Sequence, residues 1–247
     1  MFLIKPTITV TAKKYLTSLK EEANDYKATF KGLAHPLYWP KNFSLYRFNQ
    51  VISETFDVND WHYYQKLHTE IQPGEILLDI GASEGLFALT VADTCAHMYL
   101  VEPGTTFNKA LQKTMAPYAD KVTILNSAVG DQDGEIYFSD DSLEGKVADG
   151  VSDTAQKINI NKIDTLIGTN RITYLKADIE GFELEMLKGA ANTIRTNKPK
   201  IAITTYHDQN NPGEIIALIK SYVPEYNHYV KGIYEKNPKP VLIHFWV

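Results

Sequence analysis

"LLDIGASEGLFALTVAD", residues 77–93, packs an apolar run, an acid and two glycines four apart into seventeen positions. The run reads as a buried strand, and Asp79 stands at its mouth. Burying a carboxylate is costly unless something compensates it. The strand is followed at once by a glycine-lined turn and a helix opening near Glu84. In a doubly wound α/β sheet, ligands bind outside the carboxyl ends of the strands, where such turns lie.

The same alternation continues on both sides of this stretch. Apolar runs fall at 76–80, 97–101, 122–125, 172–177 and 200–205, with helical stretches at 84–94, 105–116, 162–168, 182–195 and 212–222. Short apolar strands alternating with helices predict a parallel sheet covered on both faces. The final stretch, 227–247, reads as an antiparallel hairpin. Residues 71–247 are therefore expected to form one domain. Residues 1–70 differ in character and are expected to be a helical, aromatic extension that packs on the core or covers the substrate. There, Tyr15, Leu19, Tyr26 and Phe30 predict an amphipathic helix over 11–32. Asn59 or Asp60 is the expected cap of a second helix ending near Gln72. Between them, Tyr38, Trp39, Phe43, Tyr46 and Phe48 form an aromatic cluster. It reads either as core or as a face for stacking on sugar rings. The stretch 131–153 holds eight acids and one lysine, and is expected to be a solvated excursion, with a mobile flap over 139–153.

Composition narrows the function. Of 247 residues, 44% are hydrophobic and 22% charged, as in an ordinary globular protein. The net charge of −5, with no long basic run, argues against a polynucleotide partner. Cys95 is the only cysteine, so no disulfide can form within the chain and a reducing, cytoplasmic setting is expected. No segment approaches the ~20 apolar residues of a membrane span, and the first residues do not read as a signal peptide.

The spacing at 79–85 separates two nucleotide ligands. A dinucleotide turn reads G-x-G-x-x-G, whereas this one reads D-x-G-x-x-x-G. An acid before the turn would repel a pyrophosphate but suits the cationic amino group of a methionine moiety. The next strand ends in Glu102, 23 positions after Asp79, where an acid suits a ribose diol. The cofactor expected is S-adenosyl-L-methionine. In the plainer alternative, Asp79 only caps the helix and the glycines only make a turn.

A second motif follows at residues 174–190, "YLKADIEGFELEMLKGA", an apolar strand running into Asp178, Glu180 and Gly181 and then a helix. Together with "DIGASEG" at 79–85, "VEP" at 101–103 and "KIDTLI" at 162–167, it resembles the FkbM-type methyltransferases. The resemblance covers roughly residues 70–247. It implies a class I methyltransferase, a Rossmann-like sheet of order 3-2-1-4-5-7-6 with strand 7 antiparallel. It also implies S-adenosylmethionine as donor and O-methylation of a hydroxyl on a sugar, glycan or related small molecule. Carried onto this chain, Asp79, Gly81, Ala82, Ser83 and Gly85 would cradle the methionine end. Glu102 would take the ribose, with Pro103, Ser127 and Ala128 near the adenine. The fifth strand departs from the family pattern, reading "ITTYHD" at 203–208 with threonines where an acid is expected.

An alcohol is a poor nucleophile until a base takes its proton. Asp178 and Glu180 leave one strand end together, and His207 ends its neighbour, so these three are the candidate catalytic residues. Each also has a plainer role: a helix cap, a cofactor contact, a loop histidine. A divalent ion held by Asp178 with His207 or Asp208 would acidify the hydroxyl equally well, but the spacing does not demand a metal and none is expected. Two other functions fit less well. An NAD-dependent oxidoreductase lacks its glycine spacing here, and a silent binding module would have no need of the acids at 178 and 180.

Overall fold

The structure, a computed structural model, describes residues 7–139, 146–147, 155–207, 211–233 and 239–247. The chain opens with α1 (Ile8–Ala12), then β1 (Leu16–Glu21), β2 (Asp25–Phe30) and β3 (Leu37–Pro40), which form an antiparallel sheet, and α2 (Leu45–Phe56). The helix expected over 11–32 is thus a hairpin. Tyr15, Leu19, Tyr26 and Phe30 fit a helical spacing, but Ala28 and Phe30 are buried with the period of two that a strand requires. A turn at 22–24, closed by Glu22 N–H donating to Asp25 O (2.9 Å), breaks the chain between them.

The helix expected to end near Gln72 is also absent, because residues 57–75 run in turns. Asp57 accepts from the Asn59 N–H and Asp60 from the His62 N–H, both at 3.0 Å. Asp side chains that bond to nearby backbone compete with the helical ladder. The helix of this region lies earlier, at α2, capped by Ser44 accepting from the Arg47 N–H.

From residue 76 the expected alternation holds. β4 (Ile76–Ile80), α3 (Leu86–Val91), β5 (His97–Val101), α4 (Thr105–Met115) and β6 (Val122–Leu125) follow in turn. The small strands β7 (Ala128–Val129), β8 (Gly134–Ser139), β9 (Lys146–Val147) and β10 (Ala155–Asn161) then form a separate sheet of order β7-β10-β8-β9. Strands therefore occupy part of the acidic excursion expected at 131–153. Most of the expected flap, 140–145 and 148–153, lies outside the described residues. The chain completes the domain with α5 (Ile163–Ile167), β11 (Tyr174–Ala177), α6 (Glu183–Gly189), α7 (Ala191–Asn197), β12 (Lys200–Thr204), α8 (Pro212–Tyr222), β13 (Asn227–Lys231) and β14 (Leu242–Trp246).

The main sheet runs β6-β5-β4-β11-β12-β14-β13, the expected order 3-2-1-4-5-7-6. β14 is antiparallel to β12. Alternate residues of each strand feed opposite faces. Leu78, Ile80, Leu175, Ala177, Ile201 and Ile203 pack with residues of α5–α8. Leu77, Met98, Leu100, Tyr174 and Ala202 pack with α3, α4 and the N-terminal segment in one continuous core. Trp39, Phe43 and Phe48 belong to that core, with Phe43 stacked on Phe107 at 4.5 Å, so these aromatics serve packing; Tyr46 is exposed. Burying each such side chain contributes roughly 1.5–3 kcal/mol. The order of strands reverses between β4 and β11, which places a crevice outside their carboxyl ends.

One buried group predicts how stability depends on pH. His244 on β14 is fully buried, with Nδ1 2.9 Å from Thr69 Oγ1 and Nε2 without a hydrogen-bond partner among the described residues. Burial, then the charges of Lys231 and Lys66, push its pKa from 6.5 down to about 3. The unfolded chain takes up this proton near 6.5 and the fold does not. The stabilisation is fully present above pH 6.5 and is lost as pH falls from there towards 3. His244→Gln should therefore flatten the fall in Tm between pH 6.5 and about 5, above most carboxylate titrations. Parallel slopes in variant and wild type would contradict this.

Candidate active site

β4 carries Asp79 to the crevice, and the register sets Lys176 of β11 beside it. Asp79 is fully buried, and Lys176 Nζ lies 3.0 Å from its Oδ1. The same ammonium donates to Gly81 O (2.8 Å) and sits 5.0 Å over the Tyr64 ring. The turn that follows holds three residues in left-handed backbone: Gly81 (φ 74°), Ser83 (φ 52°) and Gly85 (φ 89°). A Cβ on Gly81 would stand 2.0 Å from Asp178 O, and one on Gly85 would stand 2.6 Å from Leu111 Cδ1. The Asp178 backbone therefore already requires glycine at 81, and the left-handed backbone favours it at 85. Ala82 is buried against the core. Beyond β5, Glu102 accepts from the Ser83 N–H (2.9 Å) and the Gly104 N–H (2.7 Å), which ties the VEP turn, with Pro103, to the glycine turn. Ser127 Oγ lies 2.7 Å from Ala128 O and 3.0 Å from Asn161 Oδ1. Ala128 pairs with Ile160 in the small sheet.

The polar groups around this turn are unbalanced. Asp79 Oδ1 and Oδ2 and Glu84 Oε2 are buried and take no hydrogen bond of good geometry among the described residues. Burial pushes both carboxyls up, Asp79 against the pull of Lys176 and Glu84 against bonds from nearby backbone. Two buried carboxylates thus share one buried ammonium. A ligand's cationic amino group would supply the missing charge, so the residues present fit the methionine end of the expected cofactor.

Asp178, Glu180 and His207 come together just beyond β11 and β12. One ligand-type atom from each lies within 4.8 Å of the others. His207 Nε2 is 3.2 Å from Glu180 Oε2 and 3.8 Å from Asp178 Oδ1, and Nδ1 is 3.0 Å from Glu183 Oε1. Burial works against charge on His207, but Glu180, Glu183 and Asp178 outweigh it and raise the pKa to about 11. As it stands, the ring is an imidazolium at neutral pH. Burial likewise works to raise Asp178, yet His207, Lys176 and the Tyr64 hydroxyl hold its carboxyl below the ordinary value. Glu180 sits in left-handed backbone (φ 57°), followed by Gly181 at φ 106°. Non-glycine residues held there cluster at functional sites. Asp208 lies outside the described residues.

Several residues that complete this group are not evident from the motifs. Tyr64 donates to Asp178 Oδ2 at 2.6 Å, and Thr204 Oγ1 lies 3.1 Å from Asp178 Oδ1. Thr204 thus replaces the acid expected at the end of the fifth strand. Glu183, fully buried, accepts from the Ile179 and Gly181 N–H groups and from Thr204. His62, in turn, faces Glu54 at 3.5 Å and Asp60 at 3.6 Å. Burial opposes its charge, but these acids and Asp178 raise its pKa above the usual value. Lys176 did leave a sequence signal, since a lysine inside an apolar strand needs a counter-ion. Tyr64 left none, lying 114 residues from Asp178.

The sheet order and the site at its reversal define a class I, Rossmann-like methyltransferase fold. The chain belongs to the FkbM methyltransferase family, whose Methyltransferase FkbM domain matches residues 79–227. The match leaves out the segment that supplies His62 and Tyr64. Among curated proteins, the chain is 26% identical over 181 residues to the hexuronic acid methyltransferase AglP of Haloferax volcanii, covering 69% of this chain and 73% of that protein. Among solved structures, it resembles methyltransferase FkbM from Methylobacillus flagellatus, with a TM-score of 0.59 and 24% identity. That superposition covers 74% of this chain but only 46% of the other, and it bears on the fold alone. Among the described residues, no helix is long and apolar enough to cross a membrane.

Proposed function

We propose that this protein transfers a methyl group from S-adenosylmethionine to a hydroxyl of a sugar, with uronic acids the first acceptors to examine. The observation that carries the reading is the contact between the two halves of the site. Gly81, in the turn flanked by Asp79 and Glu102, abuts the backbone of Asp178, and the Asp178 N–H donates to Ile80 O at 3.1 Å. An unbalanced acidic cradle and an acid–histidine group therefore share one crevice. The acceptor class is supported by the name of the Haloferax relative, a hexuronic acid methyltransferase.

When bound, the cofactor supplies an electrophilic methyl on a sulfonium. Asp79 and Glu84 would hold its ammonium, and Glu102 its ribose, with Pro103, Ser127 and Ala128 on the adenine side. The transfer is an in-line displacement, so holding the acceptor oxygen in place provides much of the rate. The acceptor's proton leaves for a carboxylate of Asp178 or Glu180, since His207 already carries its own. The Tyr64 hydroxyl fixes the Asp178 carboxylate for that task.

Glu102→Ala is the test of the donor half. It should weaken binding of S-adenosylhomocysteine, measured by calorimetry, by ~1–3 kcal/mol, the cost of leaving polar partners unpaired. Binding of NAD in place of S-adenosylhomocysteine would point to the oxidoreductase instead.

A further inference from the structure

We infer that Asp178, Glu180 and His207 form a binding site for a divalent cation of the manganese type, through Asp178 Oδ1, Glu180 Oε2 and His207 Nε2. The inference deepens the reading above and rests on this group being the one that meets the acceptor. Three observations carry it. The first is the donor set and its spacing: two carboxylate oxygens 3.8 and 3.2 Å from one imidazole nitrogen. Ligands at right angles around an octahedral ion, 2.0–2.1 Å from it, stand about 3 Å apart. Mixed oxygen and imidazole ligands suit ions between magnesium and zinc in character.

The second is His207 itself. It is more than nine-tenths buried, and Nε2 is aimed at both carboxylates, 3.2 Å from Glu180 Oε2, without a hydrogen bond of good geometry among the described residues. The third is what surrounds the ligands. His207 Nδ1 lies 3.0 Å from Glu183, a carboxylate locked by two backbone N–H groups and Thr204. A histidine that binds a metal almost always directs its other ring nitrogen to such a partner, which fixes the ring. Asp178 is held by the Tyr64 hydroxyl, which donates to Oδ2 at 2.6 Å and leaves Oδ1 towards His207. The Glu180 side chain is 31% exposed, leaving an approach for the ion and for an acceptor hydroxyl. Binding through Nε2 releases the proton that His207 carries in the metal-free protein to solvent, and the ion would then bind the acceptor oxygen and lower its pKa, which promotes its attack on the methyl group.

The test uses Mn(II) alone on the full chain after treatment with a chelator. Titration followed by electron paramagnetic resonance should show the free Mn(II) signal disappearing up to one ion per chain. Pulsed spectra should show coupling to an imidazole nitrogen. Glu180→Gln, at a partly exposed position, should weaken binding by at least about tenfold, and Glu183→Gln by about 10–100-fold. An undiminished free signal, or a bound ion with no nitrogen coupling in the wild type, would overturn the site. So would unchanged affinity in Glu180→Gln. Calorimetry with S-adenosylhomocysteine on the same metal-free sample keeps the two readings apart. Donor binding without Mn(II) binding sinks only the cation site, whereas Mn(II) binding without donor binding supports that site and counts against methyl transfer.

Discussion

Lys176→Met should destabilise the fold by about 3–5 kcal/mol, the cost of removing one partner from a buried ion pair. Met keeps the apolar stem of the side chain but leaves Asp79 fully buried with no positive charge beside it, and Gly81 O loses its donor. The loss should shrink at acid pH, where the orphaned carboxyl takes up a proton. Adding Asp79→Asn should restore most of the stability, because the charge that had become uncompensated is then gone. Urea denaturation of the two single variants and the double variant measures this directly. A Lys176→Met protein within about 1 kcal/mol of wild type, the range of ordinary substitutions, would mean that the pair does not hold β4 to β11.

Asp178→Asn should lower turnover by about 10²–10⁴-fold, the usual cost of losing help with proton transfer. The substitution keeps the volume and leaves an oxygen to accept from Tyr64, so the protein should remain folded. Affinity for S-adenosylhomocysteine should change far less, since the groups proposed to hold the donor lie on β4, β5 and the turns after them. His207→Gln provides the contrast. A large loss there with a small one at Asp178 would move the proton transfer to the histidine, in spite of the three carboxylates around it. Near-normal turnover in both variants would leave Glu180 as the group to examine.

The parts of this structure that were legible in the sequence are those whose burial is local and periodic. β4, β11 and β12 are apolar runs because the inner strands of a parallel sheet covered on both faces bury nearly every residue, and the same apolar pattern continues in β5 and the half-buried edge strand β6. Asp79, Glu102 and Asp178 stand out because they are charges at the ends of such runs. The N-terminal hairpin was illegible for the opposite reason. Tyr15, Leu19, Tyr26 and Phe30 satisfy helical spacing, whereas in the fold Tyr15 and Phe30 stack on Phe56 and Phe30 also packs against Phe48, contacts with α2 that no local spacing shows. β8 is hidden by the acids around it. The reach of Tyr64 to Asp178 depends on the whole domain having folded, and no local pattern encodes it.

The proposed activity is tested most directly by transfer of a labelled methyl group from S-adenosylmethionine to a panel of uronic acids and neutral sugars, with the product located by NMR. The proposed arrangement, with the donor held by the acidic turn after β4 against Asp178, predicts label on a sugar hydroxyl, as a new O–CH3 group, and its loss with Asp178→Asn. Label appearing on nitrogen or carbon, or equal transfer by the Asp178→Asn protein, would contradict the account.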